Sequence, residues 1–419
     1  MTGTTTRGGP RSAPPPESVR FFLLLGCLSA VGPAAMDLYL SSLPTVAREL
    51  DVTTSAAQLT ISLYLVGMAL GQFVFGQLAD VVGRRLPLLG GLVLFVLASL
   101  LCAVSPSLPV LCAGRLLQGA AGACGMAIGR TVVRDLFGLR DSARYYSRLT
   151  LIYGVAPIVA PTIGATILRV ASWHGIFVVQ ACFGILLVIG AFVWFPETLP
   201  KEARRSGTLA DTMQTFGALL RHRRFVGCTA TLGLTMGALI VFVSSATFVI
   251  EDGYGASPQL FGILYGINAA AMVTSNQINA HLLHRFAPTR LAGFGLCMMV
   301  TGAAGVLVVE LAGFGLIALE ASWACMLGSW GFVQGNTIAI GLSEHGHVAG
   351  SGSALMGVFQ YTMGAVAAPL AGLGGGDSAV VPAIVALSCA GAAAVVSFSL
   401  VLRRPPPQAP IVEEPLELL

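Results

Sequence analysis

Two ionisable residues lie deep inside hydrophobic runs of the chain, and they limit the chemistry that the sequence can support. Asp37 lies toward the end of the run 21–45, and Arg115 lies near the start of the run 109–131. With a helical rise of about 1.5 Å per residue, both residues reach a similar depth in a bilayer core about 30 Å thick. Desolvation favours the neutral form of a carboxyl group, whereas a nearby guanidinium favours the carboxylate. This pattern indicates proton binding in a polar cavity.

Two interpretations of this pair remain open. In the first, Asp37 and Arg115 form a proton switch that a substrate disturbs on entry and that protonation resets. In the second, they form a static ion pair that only holds the first and fourth hydrophobic helices together. In both, a charge at this depth is too costly to face lipid, so we expect the two side chains to face a shared cavity.

The chain that positions these residues has the composition of an integral membrane protein. Of its 419 residues, 55% are hydrophobic and 10% are charged, and the mean hydropathy is +0.82. Soluble domains carry about 25% charged residues. We predict twelve spans from runs of roughly the length that crosses a bilayer. They lie near 21–45, 57–78, 86–104, 109–131, 146–168, 174–195, 225–250, 258–282, 290–311, 314–340, 350–373 and 379–402.

The sequence predicts an all-α membrane protein with twelve transmembrane helices in two six-helix bundles. The longest hydrophilic stretch inside the chain separates the sixth run from the seventh, and it is rich in Lys and Arg. Two parallel repeats joined by a linker would give this arrangement. The predicted regions are a disordered cytoplasmic tail (1–20), an N-terminal bundle (21–197), a cytoplasmic linker (198–224), a C-terminal bundle (225–402) and a cytoplasmic tail (403–419).

The basic residues predict the orientation of these spans. Short loops rich in Lys and Arg stay on the cytoplasmic side of a membrane. Placing both termini inside puts most of the 23 Lys and Arg residues on that side. We therefore predict that both termini are cytoplasmic.

Other classes of function find little support in the sequence. The nine cysteines lie inside apolar runs without a CxxC pair, so we expect buried thiols and neither a metal site nor a cofactor. The HExxH and GxSxG motifs of hydrolases do not occur, and no sizeable signalling domain is present. An enzyme and a receptor are therefore disfavoured, and we expect no nucleic-acid partner.

A charged turn interrupts the hydrophobic pattern between the second and third runs. Residues 76–85 read GQLADVVGRR, and their charges cannot stay in hydrocarbon. The simplest interpretation is a solvated loop with a local ion network. The spacing G-x-L-A-D-x-x-G-R-R also resembles the loop signature of the major facilitator superfamily, which usually has an arginine where this chain has Val81.

Four further motifs extend this resemblance over almost the whole chain. Residues 111–122 read LCAGRLLQGAAG, and residues 154–164 read GVAPIVAPTIG, which resembles the proline and glycine signature of drug:proton antiporters. Residues 36–44 read MDLYLSSLP and resemble the first span of the Bcr/CflA drug-resistance branch, as does Pro-Glu-Thr at 196–198. The chain departs from the usual residues of that branch at Ala160, Ser41 and His174.

The resemblance implies a proton-driven multidrug efflux transporter of the bacterial inner membrane, working by alternating access. Its substrates would be amphipathic antibiotics, with chloramphenicol-type compounds among them. It would need no cofactor beyond the proton gradient and would act as a monomer in the lipid bilayer. The alternative is a solute:proton symporter, an anion exchanger or a metabolite exporter of the same fold, which the direction of flux in inverted vesicles would distinguish.

Polar side chains inside the other runs are candidates for the lining of a substrate cavity. Their polar groups need partners within hydrocarbon, and a cavity for weakly polar drugs needs only a few such groups. Each of them is also compatible with a purely structural role. The candidates are Tyr39, Tyr64, Tyr153, Asn268, Gln334, Asn336 and Tyr361.

A second set of residues is predicted to control opening of the transporter. Asp80 is expected to cap the start of the eleventh span near 350–353 and so to hold the cytoplasmic side shut in the outward-open state. The alternative is that Asp80 only orders its own loop. The gating candidates are Gly76, Asp80, Gly83, Arg84, Arg85, Asp135, Pro157 and Pro161.

Overall fold

A computed structural model describes residues 19–136, 157–200, 204, 209–343, 349–375 and 378–402. Within these ranges the chain is almost entirely helical. A chain that is apolar over long runs has no water to satisfy its backbone N–H and C=O groups in a bilayer, and a helix satisfies them internally.

In the described part of the chain, seven helices precede the predicted linker. Proline at position 33 lies inside the first of them, where it removes a backbone donor four residues before Asp37. The bounds are α1 Val19–Leu40, α2 Leu43–Glu49, α3 Thr54–Val82, α4 Arg85–Ala103, α5 Leu108–Leu136, α6 Pro157–Ile167 and α7 His174–Trp194.

Among the described residues after α7, eight helices follow. The first of them lies within the predicted linker, and α12 and α13 form one apolar segment that is interrupted at Ser329. Short π-helical turns at Val249–Gly253 and Phe398–Leu402 continue α9 and α15. The bounds are α8 Leu209–Leu219, α9 Arg223–Phe248, α10 Pro258–Leu282, α11 Pro288–Ala312, α12 Leu316–Gly328, α13 Trp330–Leu342, α14 Ala349–Ala371 and α15 Val380–Ser397.

In the described ranges, ten helical segments are long and apolar enough to cross a membrane, and α6 is a shorter apolar helix. The predicted span at 258–282 forms the continuous helix α10, which is not among the ten. Its C-terminal half is polar, with Asn276, Gln277 and Asn279 close together. The helical architecture confirms the predicted fold class.

The chain separates into two compact units. Unit 1 comprises 1–52, 59–207 and 258–266, and unit 2 comprises 53–58, 208–257 and 267–419. The division between them falls within α3 and again within α10. The predicted bundle limits at 21–197 and 225–402 stay a prediction.

Close helix contacts in unit 1 depend on glycine. Helix α5 packs against α1 and α4, and α4 packs against α7. A Cβ atom at Gly125 would overlap the carbonyl oxygen of Leu28 in α1, and one at Gly119 would overlap that of Tyr64 in α3. Small residues let helix backbones approach in this way. The glycine seam, defined as Gly119 and Gly125, therefore fixes the position of α5.

Unit 2 is built around α9. This helix is buried along most of its length and packs against α13, α14 and α15, while α11 packs against α12, α13 and α15. Near the end of α11, the Glu310 carboxylate accepts hydrogen bonds from the Ser378 hydroxyl (2.9 Å), the Ala379 backbone N–H (3.0 Å) and the Tyr254 hydroxyl (3.1 Å). These contacts hold the start of α15 against the end of α11.

We expect the substitution Gly125→Ala to lower the midpoint of thermal unfolding of the detergent-purified protein. The added methyl group meets backbone that cannot move aside, and such overpacking costs about 1–3 kcal/mol. The matched control is Gly90→Ala in α4, because nothing lies within 4 Å of a Cβ atom built there. An alanine at that position should be neutral or stabilising, since it raises helix propensity. Equal shifts for the two variants would contradict a tight seam.

Candidate functional site

Asp37 is buried near the end of α1, where its side chain is only 3% exposed. Its Oδ1 atom accepts a hydrogen bond from the Tyr265 hydroxyl at 3.0 Å. Tyr265 belongs to the segment 258–266 of unit 1. The carboxyl group is thus held by a neutral phenol, which stabilises a carboxylate less than an arginine would.

Arg115 is fully buried in α5. Its Nη1 atom donates to Gln118 Oε1 at 2.7 Å. The carbon of the guanidinium lies 4.0 Å from the ring centre of Tyr64 and 4.6 Å from that of Tyr39. Cation–π contacts of this kind contribute about 0.5–2 kcal/mol each, most when desolvated.

The two tyrosines are held in place by their hydroxyl groups. Tyr39 shares a hydrogen bond with Thr60 at 3.0 Å, and Tyr64 donates to the Gly32 carbonyl at 2.7 Å. Both cavity candidates therefore form a cage around the Arg115 guanidinium, and their polar groups are already used within unit 1.

The expected ion pair between Asp37 and Arg115 is not formed among the described residues. Tyr265 contacts the carboxyl group, while the tyrosine cage and Gln118 surround the guanidinium. Its Nε and Nη2 atoms have no hydrogen-bond partner within that part of the chain. Equal depth in the bilayer does not bring two side chains into contact, because each also points in a direction set by its helix.

An amide network lies between the two sites. Gln118 Nε2 donates to Ser99 Oγ at 2.8 Å and to Gln180 Oε1 at 2.6 Å. Gln180 Nε2 donates to the backbone carbonyl of Ala35 at 2.9 Å, two residues before Asp37. Arg115 is therefore connected to the backbone beside Asp37 through two buried glutamines.

Sequence reasoning did not assign a role to these glutamines. Gln118 lies within the motif 111–122, three residues after Arg115, and Gln180 is the polar residue in the middle of α7, which carries no Asp, Glu, Lys or Arg. An amide side chain within such an apolar helix indicates that it has a hydrogen-bond partner on another helix. The sequence alone does not identify that partner.

The candidates in unit 2 are paired with other polar side chains. Asn336 donates to Asn279 Oδ1 at 2.7 Å, and Gln334 accepts from Gln360 at 2.9 Å. Tyr361 lies half-buried in α14.

The last described cavity candidate has an acidic partner. Asn268 donates to Glu320 Oε1 at 2.6 Å, and both side chains are buried. Glu320 is a further residue that sequence reasoning did not single out, since a glutamate near the start of a run resembles one at the membrane surface. The candidate Tyr153 lies outside the described residues.

The charged turn forms a compact ion network inside unit 1. The Arg84 guanidinium is almost fully buried and contacts Asp80 Oδ1 at 2.5 Å and Asp135 Oδ2 at 3.0 Å. Burial lowers the pKa of Arg84, but its hydrogen bonds and attraction to the two carboxylates outweigh that effect and raise its pKa overall. Arg84 therefore stays charged between two helices.

Glu197 of the Pro-Glu-Thr motif caps the start of α4. Its Oε1 accepts from the Arg84 backbone N–H at 2.8 Å, and its Oε2 accepts from that of Arg85 at 3.3 Å. A carboxylate at a helix N-terminus also interacts favourably with the helix dipole. Gly83 precedes this cap with φ +110°, in the left-handed region that favours glycine.

The remaining gating candidates lie in two places. Gly76 lies within α3, where a Cβ atom would meet nothing within 4 Å. Pro157 and Pro161 lie in α6, and the Pro161 carbonyl accepts from the Ser41 hydroxyl at 3.4 Å. The predicted contact of Asp80 with residues 350–353 would join the two units and stays a prediction, as do the gating roles.

Packed apolar helices with charges and amides enclosed between them are typical of a multi-pass membrane protein. The chain belongs to the Major Facilitator Superfamily, whose sequence profile matches residues 25–369. Among solved structures, a D-xylose-proton symporter matches with a TM-score of 0.74 at 14% identity, over 91% of this chain and 97% of that one. At this identity the likeness shows the fold alone.

Similar sequences include proteins named for drug resistance, as the resemblance to the Bcr/CflA branch predicts. The uncharacterized MFS-type transporter YdgK of Bacillus subtilis is 36% identical over 85% of this chain and 89% of its own length. A bicyclomycin resistance protein homolog of Haemophilus influenzae is 28% identical over 83% and 87%. The multidrug resistance protein MdtL of Escherichia coli is 26% identical over 65% and 68%.

We expect Arg84→Ala to destabilise the protein by about 1–3 kcal/mol, because it leaves two carboxylates facing each other without their cation. Arg85→Ala is the control, since the half-buried Arg85 side chain forms no ion pair among the described residues; it donates to the Phe192 carbonyl and lies over the Phe192 ring. The measurement is the unfolding midpoint of both variants in detergent. The double variant Arg84→Ala with Asp135→Asn should recover part of the loss. No recovery would contradict a role for the ion pair.

Proposed function

We propose that the protein is a proton-driven exporter of amphipathic drugs in the bacterial inner membrane, with both termini cytoplasmic and working by alternating access. The observation that carries this proposal is Asp37, a carboxyl group enclosed in unit 1 without a basic partner among the described residues. The names of the relatives from Haemophilus influenzae and Escherichia coli support export of antibiotics. Chloramphenicol-type compounds are the first substrates to test.

Asp37 would act as the proton carrier. In its ionised form it accepts the hydrogen bond of Tyr265. A proton bound at Asp37 removes a charge that is costly in an apolar interior. Protonation and deprotonation therefore change the energy of the site enough to favour one arrangement of the transporter over another.

Arg115 would act as a fixed charge beside this carrier. The tyrosine cage and Gln118 hold it, and the glutamine network ends at the backbone next to Asp37. A change at the carboxyl group is thereby linked to the guanidinium without a direct ion pair. A substrate oxygen that reaches the Nε and Nη2 atoms of Arg115, which have no hydrogen-bond partner among the described residues, would use the same link.

A solute:proton symporter of the same fold is the second candidate, because a buried carboxyl group serves uptake and export equally well. Inverted vesicles distinguish the two. An exporter accumulates drug in inverted vesicles when they are acidified inside, whereas a symporter loses it. A panel of antibiotics, tested on a host that lacks its own exporters with and without the protein, identifies the substrate. Unchanged inhibition across the panel would argue against drug export.

We expect Asp37→Asn to abolish uphill drug export in inverted vesicles under a pH gradient while leaving drug binding measurable. The amide keeps the size of the side chain but cannot bind and release a proton. Asp51→Asn is the matched control, because Asp51 is exposed and its φ of 51° suits asparagine equally well. Full uphill export by a folded Asp37→Asn protein would remove Asp37 from this role.

A further inference from the structure

Glu320 is a buried acid in unit 2 that the proposed mechanism does not use. It lies on the second turn of α12, and the residue is 8% exposed. Its Oε1 atom accepts from Asn268 Nδ2 at 2.6 Å. Its Oε2 atom is buried and has no hydrogen-bond partner in the described part of the chain.

The described helices around Glu320 place no positive charge beside it. On α11, which packs against α12, the charged residues Arg290 and Glu310 lie near opposite ends. Helix α13 carries no charged residue. Helix α10, which supplies Asn268, has His281 in its last turn, and α9 has its arginines at the start of the helix. No ion pair within the described ranges includes Glu320.

A comparison with Glu310 shows how many hydrogen bonds stabilise another glutamate of this unit. Glu310 accepts three hydrogen bonds from two hydroxyl groups and a backbone N–H. Glu320 receives one bond from a neutral amide. An ionised acid inside a membrane is strongly disfavoured unless it is paired, so acids in such positions mark proton or ion pathways. The same residue type thus occupies two opposite environments in one unit.

We propose that Glu320 and Asn268 form a second proton-binding site of the transporter, separate from Asp37. A proton from water adds to Oε2 and forms an O–H bond, which converts the carboxylate to a neutral acid while Asn268 continues to donate to Oε1. Release of the proton to water reverses the step. A proton rather than an organic cation fits the site, because an almost fully enclosed side chain leaves little surface for a larger group.

This inference goes beyond the proposed function, which requires only Asp37. Its test does not depend on which compound is exported. Infrared difference spectra of the purified protein, recorded over the pH range in which it stays folded, detect the C=O stretch of each protonated carboxylic acid. Among the bands that titrate, we expect one from Asp37 and one from Glu320.

The substitution Glu320→Gln should remove one titrating band, and Asp37→Asn should remove the other. The matched control Glu310→Gln should leave both bands in place. Glu320→Asp keeps an acid at the site and should retain a titrating band at a shifted frequency, which separates loss of the proton site from loss of the fold. The inference is overturned if Glu320→Gln leaves the spectrum unchanged, or if the band that it removes does not titrate. Failure of drug export in vesicles would not alter either result.

Discussion

The free-energy cost of keeping the Arg115 guanidinium out of water constrains the side chains that surround it in unit 1. This charge is fully buried, and within the described residues its hydrogen-bonding partner is Gln118. A bare cation in such surroundings would be strongly destabilising. The rings of Tyr39 and Tyr64 supply the missing negative potential, and their hydroxyl groups are fixed by bonds to Thr60 and Gly32. The cation therefore determines which side chains α1 and α3 present toward α5.

Unit 2 accommodates buried polar groups in another way. Some of its buried polar side chains pair across helices, as in Asn336 with Asn279 and Asn268 with Glu320. Each pair holds its two members together inside the unit, so a substrate that engages one of them must first separate it from its partner. Such exchange costs little for neutral amides, because one hydrogen bond replaces another. It costs more for Glu320 when it is ionised.

Much of the helical architecture could be predicted from the sequence, because apolar length alone determines where a chain crosses a bilayer. The ion network of the charged turn could also be predicted, since Asp80 and Arg84 lie one helical turn apart. The prediction that Asp37 and Arg115 form an ion pair was wrong. Counting residues along a helix gives the depth of a side chain in the bilayer but not the direction in which it points. The roles of Gln180 and Glu197 were missed, because their partners lie far away in the sequence.

The glycine seam restricts how this protein can diverge. Any side chain larger than hydrogen at Gly119 or Gly125 meets a carbonyl oxygen of a neighbouring helix rather than a movable side chain. No single compensating change elsewhere relieves such an overlap. The polar side chains around Arg115 and in the amide pairs are not restricted by backbone in this manner. Sequence change is therefore more easily accepted at those side chains, while the spacing between α1, α3 and α5 stays the same.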